Sequence, residues 1–272
     1  MSQHIYLPDH SGSIGVFDSG IGGLSVANAV SGLLPTERML YVADNAHAPY
    51  GGRTDAEVRE YSRCITDFLL RAGVKLIVVA CNTATSVSID YLRDAYPDVP
   101  FVGLEPAVKP AAESTNVAVM ATAVTLRSDR YRALRDRYLA DRPVWENACT
   151  GLVELIEEYP SGSPQISDYL TELFKTSGNP DAVVLGCTHY PLIAADIAAV
   201  VGPDVKVIDP SGAAARQVQR ILEKQGLLTS ETTAGRYDFF CTGSSTALQR
   251  TLGRLTELNG YRRWVVPYLT LK

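Results

Sequence analysis

Short apolar runs rich in β-branched residues recur along almost the whole chain, and a helical stretch follows nearly every one. "SIGVFD" (13–18), "MLYVAD" (39–44), "KLIVVA" (75–80) and "PFVGL" (100–104) come first. Between them lie "GLSVANAVSGLL", a segment from about Asp55 to Arg71, and "SVSIDYLRDAY". Strands joined through a helix pair parallel, and the crossovers place helices on both faces of the sheet. At Asp55 the start is signed as well: Thr54 and Glu57 form a T-x-x-E capping box, each satisfying an amide of the first turn. After Glu105-Pro106 the rhythm restarts with "NVAVMA" (116–121), "VWENA" (144–148), "DAVVLG" (181–186) and "VKVID" (205–209). A last strand, "RYDFFCT", and a helix, "STALQRTLGRL", close the chain. The expected class is therefore α/β with mainly parallel sheets.

A second pattern lies inside the first. "KLIVVACNTATS" ends an apolar strand on a cysteine followed by small polar residues, and "AVVLGCTHYP" does nearly the same a hundred residues later. Two related halves facing one another would explain the repeat. Open α/β sheets bind ligands beyond the carboxyl ends of their strands. Asp18, Asp44, Cys81, Thr122, Cys187 and Asp209 all fall there.

Composition narrows the partners. With 272 residues, 46% of them hydrophobic and 20% charged, the chain can bury a sizeable core in one or two domains. A net charge of -5 leaves no basic footprint for nucleic acid, and no apolar run is long enough to cross a bilayer. "MSQHIYLPDHSGS" lacks a basic segment followed by an apolar one, so it is expected to be a loose leader rather than a secretory signal. Five cysteines, widely spaced and without a C-x-x-C pair, argue for free thiols in a reducing, cytoplasmic setting.

Cys64, inside a helix, and Cys241, in the last strand, read as small buried hydrophobes. Cys81 and Cys187 differ, because each sits between a strand end and a helix start. Unpaired amides and the positive end of the helix dipole there favour thiolate and predict a lowered pKa. Asn82, Thr83 and Thr188 offer donors beside them. His189, two residues after Cys187, is placed to orient or protonate a reacting group.

Other chemistries fit less well. "FDSGIGGLS" invites a dinucleotide-binding reading, but the third glycine of G-x-G-x-x-G is replaced by Ser25 and Asp18 would repel a pyrophosphate. A zinc site from Cys81, Cys149, Cys187 and His189 lacks the usual ligand spacing. There is no G-x-S-x-G elbow for a serine hydrolase.

"FDSGIGGLS", "APYGGR", "VACNTATS", "VGLEPAVKPA", "ATAVTLRS" and "LGCTHYPL" occur in this order and together resemble glutamate racemase, of the aspartate/glutamate racemase superfamily. The resemblance runs from about residue 14 to 210. It implies two pseudo-symmetric three-layer α/β domains facing a central cleft, residues 1–104 plus 213–272 and residues 105–212. It implies a two-base racemisation of glutamate, without cofactor or metal, that supplies D-glutamate for peptidoglycan. In such an enzyme Cys81 would take the α-proton of D-glutamate and Cys187 that of L-glutamate, with Asp18 assisting the first and His189 the second. Substrate contacts would come from Ser19, Pro49, Tyr50, Gly51, Asn82, Thr83, Thr122, Thr125 and Thr188. The family's further acidic residue would be Glu157, with Glu158 as its substitute, because Thr150 and Glu154 stand where prolines are expected. A homodimer is also implied, without nucleic-acid or membrane partners. The rivals are an aspartate or other amino-acid racemase, a single-thiol decarboxylase, and a non-catalytic amino-acid-binding protein.

Overall fold

The computed structural model describes residues 10–253 and the backbone of Val265–Pro267. The leader expected before Ile14 therefore lies mostly outside the described residues. The first series is β1 (Ile14–Asp18), α1 (Leu24–Leu33), β2 (Met39–Ala43), α2 (Asp55–Arg71), β3 (Leu76–Val79), α3 (Asn82–Ala95) and β4 (Phe101–Gly103). The second begins with β5 (Val117–Ala121), α4 (Ala123–Arg127), α5 (Asp129–Leu139), β6 (Val144–Asn147) and α6 (Leu152–Glu158). It continues through α7 (Pro164–Phe174), β7 (Ala182–Gly186), α8 (Ala194–Val201) and β8 (Lys206–Ile208). Finally come α9 (Ser211–Gln225), β9 (Tyr237–Cys241), α10 (Thr246–Leu252) and β10 (Val265–Pro267).

Two sheets result, one ordered β10-β9-β2-β1-β3-β4 and the other β6-β5-β7-β8. All neighbouring strands described are parallel. The inner order β2-β1-β3-β4 of the first sheet is repeated by β6-β5-β7-β8 in the second. That repeat is the architectural counterpart of the duplicated cysteine loops.

Both faces of each sheet are covered, which is why the strands read as continuous apolar runs rather than alternating ones. In β3, Leu76 and Val78 join a core with α1 and α9, whereas Ile77 and Val79 join one with α2 and α3. In the second sheet, Val183 and Leu185 of β7 meet α6, α7 and α8, while Val184 meets Tyr131 and Leu139 of α5. Each such aliphatic side chain taken fully from water stabilises by roughly 1.5–3 kcal/mol. The helix start at Thr54 is as expected, with the Glu57 amide donating to Thr54 Oγ1 at 3.3 Å and the Thr54 amide to Glu57 Oε2 at 2.9 Å.

One element departs from expectation. The chain was expected to close on the last helix, but β10 follows and pairs with β9 at the sheet edge. A three-residue run ending in proline is compatible only with an edge strand and leaves almost no periodic signal.

Candidate active site

The order β2-β1-β3-β4 reverses direction between β1 and β3, and a crevice opens there at the carboxyl ends. Asp18 ends β1, and Cys81 follows β3 after a single alanine. In the second sheet the matching reversal lies between β5 and β7, with Thr122 after one strand and Cys187 after the other. These two crevices meet. Cys81 and Cys187 line one small cavity, and both are buried.

Of the residues expected to touch substrate, Ser19, Pro49, Tyr50, Gly51, Asn82, Thr83, Thr122 and Thr188 line that cavity, together with His189. Thr125 stands one step behind. Its hydroxyl lies 3.1 Å from that of Thr122, which in turn lies 2.9 Å from Thr83 Oγ1 of the first half. Val153 of α6 also lines the cavity and was not anticipated, since an aliphatic side chain carries no chemical signal. Its one hint is position: it precedes Glu157 by four residues, on the same helix face. An adjoining cleft shares Ser19, Pro49, Val153 and His189 and carries Glu154, Glu157 and Glu158.

Cys81 is itself the cap of α3, its sulfur accepting the Ala84 amide at 3.4 Å, with Ser19 Oγ at 3.7 Å. The helix-start argument predicts a lowered pKa, and here the opposite holds. Burial pushes the Cys81 thiol well up, the Asp18 charge adds to it, and the Ala84 and Ser19 hydrogen bonds offset only part. Burial outweighs the donors that the helix start and Ser19 supply. Asp18 is fully buried, and burial raises its carboxyl too. The His189 charge, the Gly20 amide at 3.0 Å and the Thr188 hydroxyl at 3.2 Å pull the other way. Asn82 Nδ2 donates to Leu104 O at 3.3 Å, while Asn82 Oδ1 is buried without a partner in the protein.

On the other side, His189 is 3% exposed and holds both ring nitrogens in contacts. Nδ1 lies 4.0 Å from the Cys187 sulfur and Nε2 lies 2.9 Å from Glu157 Oε1. Burial alone would discharge the ring, but the Cys187 and Glu157 contacts outweigh it and raise its pKa well above the usual histidine value. For Glu157 burial acts upward, and the His189 hydrogen bond and charge overcome it, leaving the carboxyl below its usual range. Glu157, rather than exposed Glu158, is therefore the acid that touches the histidine. The altered start of α6 does not prevent this: Gly151 at φ +85° opens the helix without a side-chain cap.

Gly20 and Gly22 of "FDSGIGGLS" serve packing between halves. A Cβ on Gly22 would stand 2.5 Å from both His189 Nδ1 and Thr188 Oγ1, and one on Gly20 would stand 2.8 Å from Glu157 Oε1. Only bare backbone lets this loop approach the second half so closely. Tyr50 is anchored from behind, its hydroxyl donating to buried Asp44 at 2.6 Å, with Thr242 Oγ1 at 2.5 Å and His47 Nδ1 at 2.9 Å on the same carboxylate. The remaining thiols stand apart. Cys149 is buried against α6 and α7 and burial pushes it up to about 12. Cys241 is buried in β9. Cys64, expected to be a buried hydrophobe, is only half-buried and faces Glu60, because its helix position lies off the apolar stripe of α2.

A doubly wound α/β protein whose two switch points converge on one polar cavity, with a thiol from each side, has the form of a small-molecule-binding protein. The sequence matches the Asp/Glu/Hydantoin racemase family over residues 24–218, and the chain belongs to that family. A curated glutamate racemase from Pseudomonas aeruginosa is 46% identical over 229 residues, covering 82% of this chain and 86% of that protein. Among solved structures, the glutamate racemase isoform RacE1 from Bacillus anthracis superposes with a TM-score of 0.82 at 30% identity, covering 96% of this chain and 98% of that one. The Escherichia coli glutamate racemase, solved in complex with L-glutamate and the activator UDP-MurNAc-ala, also gives 0.82, at 31% identity over 95% of this chain and 99% of that one.

Proposed function

We propose that this protein interconverts L- and D-glutamate by a two-base mechanism and so supplies D-glutamate for peptidoglycan. The observation that carries this reading is the single cavity lined by Cys81 and Cys187 from equivalent strand ends of opposite sheets. Inverting one carbon requires a base on one face and an acid on the other. With L-glutamate, Cys187 as thiolate takes the α-proton and the Cys81 thiol donates its own to the opposite face. The enzyme is left with Cys187 as thiol and Cys81 as thiolate, the form that accepts D-glutamate. Burial and Asp18 favour the protonated form of Cys81, and the His189 imidazolium beside Cys187 supports negative charge there.

The α-proton of an amino acid is far less acidic than a thiol, so the carbanion needs preorganised donors in a site closed to water. We assign the amides at the start of α3 and the hydroxyls of Ser19, Thr83 and Thr122 to the substrate's carboxylates. The unpartnered Asn82 Oδ1 suits an α-ammonium.

L-glutamate in deuterated water tests the reading. Deuterium should enter D-glutamate well before it enters the remaining L-glutamate. Equal early labelling of both enantiomers points to one base, and no exchange points to an amino-acid-binding protein. L-aspartate run in parallel decides between glutamate and the nearest rival substrate.

We further assign residues 1–104 plus 213–272 to one domain and 105–212 to the other, since α9 packs on α1 of the first sheet. The five free cysteines fit a cytoplasmic protein. No helix among the described residues is long and apolar enough to cross a membrane. A homodimer acting on a small molecule, without nucleic acid, completes the reading, and sedimentation of the purified chain tests it.

A further inference from the structure

We propose that Arg250, on α10 of the six-stranded half, is a positioning residue for the His189–Glu157 pair of the other half; this rests on the glutamate racemase reading. Its guanidinium donates to the backbone oxygens of both Glu157 and Glu158, the latter at 3.3 Å. These are the last two residues of α6, where carbonyls lack partners inside the helix and carry the negative end of its dipole. A planar fork of donors reaching two successive carbonyls sets the orientation of a helix end as well as its place.

The need for such a hold is visible in α6 itself. The helix has seven residues and no side-chain cap at its start. So short a helix has little stability of its own. Yet its last turn carries the carboxylate that must stay 2.9 Å from His189 Nε2. Arg250 sits between Leu248 and Leu252 of α10, which are 0% and 1% exposed in the first core and fix the element that carries it. An arginine of one half thus grips the helix end of the other, at the residue whose side chain meets the histidine beside Cys187. Nothing in the sequence marks Arg250, because its partners are main-chain atoms about 90 residues away.

The test is Arg250→Ala and Arg250→Lys, each in the wild-type and the Glu157→Gln backgrounds, with glutamate turnover followed by circular dichroism. In the wild-type background Arg250→Ala should lower kcat about tenfold with KM changed less than about twofold, and lysine should recover part of the loss. In the Glu157→Gln background the same change should cost less than about twofold, because its route of action is already cut. An equal loss in both backgrounds, or full activity in Arg250→Ala, overturns the proposal. A readout independent of turnover is the nitrogen spectrum of the His189 ring in the substrate-free enzyme. Arg250→Ala should move it toward the Glu157→Gln spectrum, and an unmoved ring sinks the proposal. If wild-type protein fails to turn over glutamate while the ring still moves, the function reading falls and the positioning role stands.

Discussion

His189 bridges Cys187 and Glu157 through its two ring nitrogens, 4.0 Å from the sulfur and 2.9 Å from the carboxylate. One contact sets the other. The acid fixes the ring, and the ring presents a cation to the thiol. Glu157→Gln removes that support and should lower racemisation by roughly ten- to a hundredfold while leaving the fold intact. Initial rates and a thermal melt of the same sample check both halves of the statement.

The same pair predicts a pH window for stability. The raised pKa of His189 contributes stability that is present below the unfolded histidine value and fades as pH rises through the folded one. The lowered pKa of Glu157 contributes above the unfolded glutamate value and fades as pH falls through the folded one. Both act together between about pH 4.5 and 6.5. Urea unfolding of wild type and Glu157→Gln should differ most in that interval and converge toward strongly acidic and strongly alkaline pH. A difference that stays flat across the range contradicts the linkage.

Cys81→Ser and Cys187→Ser should each cut racemisation by about a thousandfold or more, since an alcohol is a far weaker base than a thiolate. Both variants should melt within about 1–2 °C of wild type, because oxygen in a polar cavity leaves neither void nor clash. Near wild-type turnover by either variant would falsify the assignment.

Gly22→Ala should behave unlike most surface glycine substitutions. The added methyl collides with His189 and Thr188, including the His189 backbone nitrogen at 2.8 Å, so the loop must retreat. A loss of activity above tenfold and about 1–3 kcal/mol of stability are expected. Gly212→Ala, in α9, meets only the flexible end of Arg216 at 3.4 Å and should instead stabilise slightly, by up to about 1 kcal/mol. Matching effects at the two sites would show that close approach is not what Gly22 provides.

Away from the site, Lys75 Nζ lies 2.6 Å from Glu37 Oε2 and also donates to Leu227 O at 2.7 Å. Glu37 is 2% exposed. Lys75→Met leaves that carboxylate buried without its cation and should cost about 3 kcal/mol. Adding Glu37→Leu should return much of the loss, as equilibrium unfolding of the single and double variants would reveal; a double variant no more stable than Lys75→Met refutes the account.

The strands and helices were legible because both kinds of element bury apolar faces with their own periods, and Thr54 with Glu57 even signed a boundary. The twofold character was legible only as two similar loops. The identical strand orders that explain it are a property of the sheets. Cys81, Cys187 and His189 stood out by type and setting, whereas Val153 and Arg250 did not, since one offers an aliphatic group and the other bonds to main chain. The pKa of Cys81 was misjudged for a related reason. A helix start is local and can be read from sequence, but the burial that overrides it comes from residues distant along the chain, such as Phe17, Val42 and Tyr50 in the same core, with Asp18 adding its charge.

What the amino-acid order determined alone is local: periodicity, caps, glycine placement and the chemical identity of two duplicated strand ends. What the tertiary structure decided is mutual: that both strand ends open on one cavity, that Glu157 rather than Glu158 reaches the histidine, and that Cys81 is buried enough to reverse its expected shift. Local features depend on neighbours along the chain, which the sequence states directly. Charge, burial and contact depend on neighbours in space, and those exist only once the chain has folded.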